Sequence, residues 1–251
     1  MAKFLNGTKP LLVGMVQEKT AEDAILVILD SLADGADAIG VQLECLEKAS
    51  RTPDKLKKIF SACDGKPIYI TSYRNHESAG MTDDECANLL LEGLEAGADL
   101  GDVMGDLYAP TANQMTFDPA AVEKQIALIE KIHRMGKEVL ISSHLHAFYP
   151  EKELLRFGKE QIRRGADIVK LVGRTDNRAE LIATINAAEE MKNTLTKPFL
   201  LLANGPHSRL LREIGPAFGV SMYLCVDRHR PTNTKEQPLL RKARAIRDNL
   251  F

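Results

Sequence analysis

Short apolar runs alternate with longer amphipathic ones along the whole chain. The apolar runs cover residues 10–16, 36–43, 66–73, 98–104, 138–143, 167–172, 198–203 and 220–226. Each is about the length of a strand, and several are apolar on both sides, as a strand covered on both faces is. Helical patterns fill the gaps at 20–33, 52–62, 82–95, 118–135, 151–164, 177–194, 208–216 and 236–249. Thr20-Ala-Glu-Asp23 and Thr82-Asp-Asp-Glu85 read as capping-box starts, and Asp118-Pro119 as an N-cap with proline in the first helical position.

Three of these helices run into the next strand through the same tripeptide. Gly35-Ala-Asp37, Gly97-Ala-Asp99 and Gly165-Ala-Asp167 each place a glycine where a helix closes in a left-handed turn. That is the αβ turn of a repeated unit. About eight strands alternating with about eight helices in roughly 250 residues predict an α/β chain closed into a single (β/α)8 TIM barrel, residues 1–251. An open doubly wound sheet is the alternative. It is weakened because no GxGxxG or GxxxxGK[ST] loop follows any strand.

Composition sharpens this only by exclusion. The 251 residues carry 33 basic and 35 acidic side chains, a net charge of -2, so no nucleic-acid surface is expected. The segment Met1–Pro10 has no apolar leader core, and no run approaches the roughly 18 apolar residues that span a bilayer. Cys45, Cys63, Cys86 and Cys225 form no CxxC pair and sit in or beside apolar stretches. They read as buried thiols of a reduced, cytoplasmic protein.

In such a barrel the chemistry belongs at the C-terminal ends of the strands. Lys170 is the first candidate. It shares one face of Asp167-Ile-Val-Lys-Leu-Val172 with Ile168 and Val172. Burial lowers an amine's pKa, and a neutral amine is the nucleophile of Schiff-base chemistry. A lysine there also satisfies itself by pairing with a carboxylate, and Glu44 and Asp102 both lie near strand ends. His144 closes the preceding strand and suits proton transfer near neutral pH, or a purely structural hydrogen bond. Arg74 and Arg209 follow the third and seventh strands and are placed to clamp an anion, although either reads equally as a surface arginine. His144 and His146 with Glu44 or Asp102 make a weak metal pattern, so no metal is expected. The polar run 228–235 follows the last strand as a solvated loop or a lid.

Together these motifs resemble a known family. Ser142-Ser-His144, Gly165-Ala-Asp-Ile-Val-Lys170, Ser208-Arg209 and Phe218-Gly219 look like type I 3-dehydroquinate dehydratase. The resemblance implies a cofactor-free lyase of the shikimate pathway and aromatic amino acid biosynthesis, converting 3-dehydroquinate to 3-dehydroshikimate and water, and acting as a homodimer. It implies that Lys170 forms an imine with the ketone of a small anionic keto acid. His144 would take the α-proton and protonate the leaving hydroxide. Arg209 would bind the carboxylate, Arg74 would stand where the family has an arginine after the third strand, and Gln237 would match a lid glutamine.

The chain departs from the family pattern in the substrate-orienting shell. The family's Glu-x-Arg-x-Asp at the end of the second strand is Gly40-Val-Gln-Leu-Glu44 here, so Gln42 and Glu44 are the substrate-binding candidates at this edge. Glu77-Ser-Ala-Gly80 replaces Glu-Gly-Gly, Leu145-His146 replaces Asp-Phe, and Thr234-Lys-Glu-Gln237 replaces Ala-Pro-Gly-Gln. A class I lyase or aldolase acting on a different hydroxy-keto acid, or a non-catalytic homologue that binds a sugar acid, are the alternatives.

Overall fold

The computed structural model describes residues 4, 5, 7 and 9–251, so the reading of Met1–Pro10 falls partly outside the described residues. Among the described residues eight parallel strands alternate with eight α-helices: β1 (Leu11–Val16), α1 (Ala21–Ala33), β2 (Ala38–Gln42), α2 (Pro53–Ser61), β3 (Ile68–Thr71), α3 (Asp83–Ala96), β4 (Leu100–Met104), α4 (Pro119–Arg134), β5 (Glu138–His144), α5 (Glu151–Arg163), β6 (Ile168–Arg174), α6 (Arg178–Thr194), β7 (Phe199–Asn204), α7 (Ser208–Ile214), β8 (Met222–Cys225) and α8 (Leu240–Leu250). Strands β1 to β7 each pair with their neighbours in sequence, and β1 pairs with β8. The last seam, between β7 and β8, is held by the bridge Phe199↔Val220 and the Ser221 N–H donating to the Phe199 carbonyl at 2.9 Å. The chain is a single (β/α)8 barrel.

Local chemistry explains the regularity. Thr82 and Glu85 form a complete capping box at the start of α3, and Thr20 and Asp118 accept the N–H of the third helical residue of α1 and α4. Gly35, Gly97 and Gly165 adopt φ of +92°, +132° and +109°, as helix-closing glycines do. The aspartates that follow them repeat a stitch. Asp37, Asp99 and Asp167 each accept the N–H of a residue in the preceding strand (Leu12, Ile68 and Val139) at 2.9 to 3.0 Å. The tripeptide therefore sets both the turn and the register at the floor of the barrel.

Two helices differ from the sequence expectation. The pattern at 208–216 divides into α7 and a 3-10 turn, Gly215–Phe218, because Pro216 cannot continue an α-helical ladder. The pattern at 236–249 begins as helix only at Leu240, because Leu239 is extended and bridges Val226. Residues 227–239 are thereby released to cross the top of the barrel.

Candidate active site

A cavity of about 480 Å³ opens at the C-terminal ends of the strands. Lys170, Val172, His144, Leu202, Asn204, Met15 and Leu224 form its floor and walls, and residues 231–234 with Gln237 roof it. Register places the two principal candidates side by side: Ser142 is opposite Lys170, and His144 is opposite Val172.

Lys170 is 4% exposed, and all three of its N–H donors have partners. Nζ donates to the Tyr69 hydroxyl at 2.9 Å, the Tyr73 hydroxyl at 2.8 Å and Asp102 Oδ2 at 3.1 Å. Asp102 Oδ2 also accepts from Tyr69 at 2.5 Å and Tyr73 at 2.6 Å, while Oδ1 accepts from Ser142 Oγ at 2.5 Å. Of the two readings of Lys170, a bare amine or a lysine paired with a carboxylate, the structure gives the second: a buried, fully hydrogen-bonded pair with Asp102. Burial first, and then the Asp102 charge, push both phenols well above the ordinary tyrosine pKa, so both keep their protons.

His144 is held by Gln114. Gln114 Oε1 accepts the His144 backbone N–H at 3.2 Å and stands 2.8 Å from Nδ1. An oxygen that already accepts from the backbone fixes Nδ1 as the protonated nitrogen and leaves Nε2 with its lone pair. Burial, and then the Lys170 charge, depress the imidazole pKa to about 3. The ring meets Tyr73 edge-on, with centroids 5.2 Å apart and planes at 85°. His144 is therefore a neutral acceptor joined to Lys170 through Tyr73.

The arginines do not form the clamp expected from the sequence. Arg74 lines the cavity, but Asp83 binds its Nε and Asp106 binds Nη1 at 3.0 Å, so its charge is already balanced. Arg209 is outside the cavity: it is exposed and donates to the Lys235 carbonyl at 2.7 Å. Arg212, one turn further along α7, takes the inward place. It is 6% exposed and is anchored by the Ala203 carbonyl at 2.9 Å and Asn204 Oδ1 at 3.0 Å. Among the described residues no carboxylate lines the cavity, although Glu236 outside the lining acts on Arg212 electrostatically; burial lowers its pKa to about 10, so it remains a cation. Helical spacing was the signal: on a helix whose first turn starts at Ser208, positions 209 and 212 lie near each other along one side, and only the fold decides which reaches the strand ends.

Glu44 is also corrected. It is fully buried behind the wall, where its carboxylate accepts from Thr71 Oγ1 at 2.8 and 2.9 Å. Burial raises its pKa to about 7. Gln42 does line the cavity and hydrogen-bonds Gln17. Gln17 in turn accepts from Asn233 Nδ2 at 3.1 Å and the Thr234 N–H at 3.2 Å, which ties the 227–239 segment down across the mouth. The run read as a solvated loop or a lid lies across the mouth as a roof. Gln237 lines the same space, and its Oε1 accepts no hydrogen bond among the described residues. The space opposite Gly40 is filled: a Cβ built there falls 2.4 Å from Met15 Sδ and 3.1 Å from Tyr69 Cδ1.

Among the described residues no group of three or more His, Cys, Asp or Glu is placed to hold a metal, all four cysteines are buried and free, and no helix is long and apolar enough to cross a membrane.

The fold and site define a single-domain (β/α)8 barrel whose polar cavity is centred on a lysine of the sixth strand and a histidine of the fifth. The sequence profile of type I 3-dehydroquinase matches residues 15–247, and the chain belongs to that family. Its fold is similar to 3-dehydroquinate dehydratase from Geobacillus kaustophilus, at 16% identity and TM-score 0.83 over 98% of this chain and 93% of that one. It is also similar to the type I enzyme from Clostridium difficile, crystallised with covalently modified comenic acid, at 18% identity and TM-score 0.81 over 98% and 94%. The enzyme from Aquifex aeolicus aligns at 15% identity and TM-score 0.74 over 96% and 99%. No curated protein matches the chain by sequence.

Proposed function

We propose that the chain is a Schiff-base-forming lyase that eliminates water from a small anionic hydroxy-ketone of the 3-dehydroquinate type. One observation carries the reading: Lys170 and His144 line one polar cavity at the strand C-termini. Lys170 attacks the ketone and water leaves, giving an iminium. The iminium withdraws electrons from the adjacent carbon, which makes its proton acidic without a metal or organic cofactor. His144 Nε2 takes that proton and, now an imidazolium, protonates the departing hydroxyl. Arg212 binds the carboxylate, and the amides of Gln42, Asn204 and Gln237 take the hydroxyls. The roof excludes water from the reactive iminium.

The test is trapping. Incubation with 3-dehydroquinate and borohydride is expected to add the reduced substrate to Lys170, read by intact mass and peptide mapping. Absence of an adduct across a panel of cyclic and acyclic keto acids would overturn the proposal. A second reading, the same chemistry on a different hydroxy-keto acid, is favoured by Met15 beside Gly40 and by the neutralised Arg74. Turnover of 3-dehydroquinate at ordinary rates, followed by the conjugated product's ultraviolet absorbance, removes the need for it.

A further inference from the structure

Of the three hydrogen-bond partners of Lys170 Nζ among the described residues, only Tyr73 also lines the cavity. Tyr69 and Asp102, at 0% and 1% exposure, lie behind it. The Tyr73 hydroxyl meets Nζ at 2.8 Å, Asp102 Oδ2 at 2.6 Å and Ser142 Oγ at 3.3 Å, and its ring packs on His144. The phenol thus sits between the amine, the carboxylate and the place where a substrate carbonyl must stand.

We infer that Tyr73 is a further catalytic residue, the proton carrier between Lys170, Asp102 and the carbonyl oxygen of the substrate. The inference rests on the Schiff-base reading of Lys170. In the resting pair the amine is an ammonium with no lone pair. Its proton passes to the Tyr73 oxygen as the Tyr73 proton passes to Asp102 Oδ2. Lysine and aspartate both become neutral, no net charge is created in the buried site, and the phenol is regenerated. The amine then forms its bond to the carbonyl carbon while the carbonyl oxygen takes a proton from nitrogen. The proton held by Asp102 returns through Tyr73 to the carbinolamine hydroxyl, which leaves as water. The ammonium's three hydrogens end as one on the iminium nitrogen and two in water. Asp102, ionised again, faces an iminium where the ammonium stood.

Tyr69 is an internal control, because its hydroxyl makes the same contacts to Nζ and Asp102 without reaching the cavity. The experiment measures the rate of adduct formation at Lys170 against pH for the wild type, Tyr73→Phe and Tyr69→Phe. Two probes are used: 3-dehydroquinate with borohydride, and formaldehyde with cyanoborohydride, which needs no substrate site. Tyr73→Phe is expected to slow Lys170 modification by at least ~10-fold with both probes, in line with general acid–base contributions of about 10²–10⁴. Tyr69→Phe is expected to stay within ~3-fold of wild type. Failure of 3-dehydroquinate alone, with formaldehyde still separating the two variants, overturns the substrate reading and leaves the carrier in place. Equal slowing by both substitutions, an unchanged Tyr73→Phe, or a wild-type Lys170 that formaldehyde does not modify overturns the carrier.

Discussion

Lys170 Nζ and Asp102 Oδ2 stand 3.1 Å apart across the barrel interior, one on β6 and the other on β4, with Ser142 of the intervening β5 holding the second carboxylate oxygen. The pair compensates two charges that would each be costly to bury alone. Asp102→Leu strands the ammonium and is expected to lower unfolding stability by about 3–5 kcal/mol. Lys170→Met costs less, because the carboxylate keeps the donors of Tyr69, Tyr73 and Ser142. The double variant should recover much of the Asp102→Leu loss. Urea denaturation of the four proteins closes the cycle, and additive losses would show that the pair is not coupled.

Arg212 and Arg209 lie on the same short helix yet face different spaces. A charge-assisted hydrogen bond is worth about 1.5–3 kcal/mol, or roughly 10- to 150-fold in affinity. Arg212→Met is therefore expected to weaken keto-acid binding by at least ~10-fold, while Arg209→Met leaves it within ~2-fold. Calorimetric titration compares them, and equal losses would return Arg209 to the site.

The barrel was legible because its signals are local. The Gly-Ala-Asp turns, the caps and the two-sided apolar strands each act within a few residues, and each lies where the pattern places it. The placement of Lys170 and His144 at one cavity was legible for a related reason: a titratable group within or at the end of an apolar strand has few places to go. Asp102 was among the partners the sequence offered Lys170, but Tyr69 and Tyr73 were not: they fall in and just after β3 as β-forming aromatics, and only the closure of the sheet brings their hydroxyls to Lys170 Nζ on β6. Arg209 was named and Arg212 was not, because the two lie three residues apart along one side of a short helix and the sequence does not show which of them reaches β7. Glu44 was placed in the site by its position at a strand end, whereas the turn Leu43–Cys45 directs it into the wall toward Thr71.

His144 and Glu44 give opposite pH signatures. The folded-state pKa of His144 is depressed to about 3 from 6.5, so the unfolded chain binds its proton first as pH falls. Stability linked to His144 is present above pH 6.5 and declines as pH falls toward 3. The folded-state pKa of Glu44 is raised to about 7 from 4.5, so its contribution is present below pH 4.5 and is lost as pH rises toward 7. Urea midpoints should therefore fall less between pH 7 and 5 in His144→Gln than in wild type. Glu44→Gln should fall less than wild type between pH 5 and 8. A Glu44→Gln variant that loses as much as wild type over that alkaline interval would sink the assignment.

Gly40 stands at the position that the sequence resemblance pairs with a glutamate, and Met15 and Tyr69 lie against it. A Cβ at this position falls 2.4 Å from Met15 Sδ, 2.9 Å from Met15 Cε and 3.1 Å from Tyr69 Cδ1. The first two atoms belong to the far end of a flexible side chain, and the third to a ring pinned by Asp102 and Lys170. Gly40→Ala must then displace Met15, which lines the cavity, while Tyr69 gives little. Overpacking of this kind costs about 1–3 kcal/mol. Met15→Ala on its own opens space beside Gly40, and combined with Gly40→Ala it should restore most of the lost stability. Both single variants alter the cavity wall, so keto-acid affinity should shift in each. Denaturation midpoints and titrations of the two singles and the double decide it. A Gly40→Ala protein as stable as wild type, with unchanged affinity, would show that Met15 does not occupy the room left by the missing side chain.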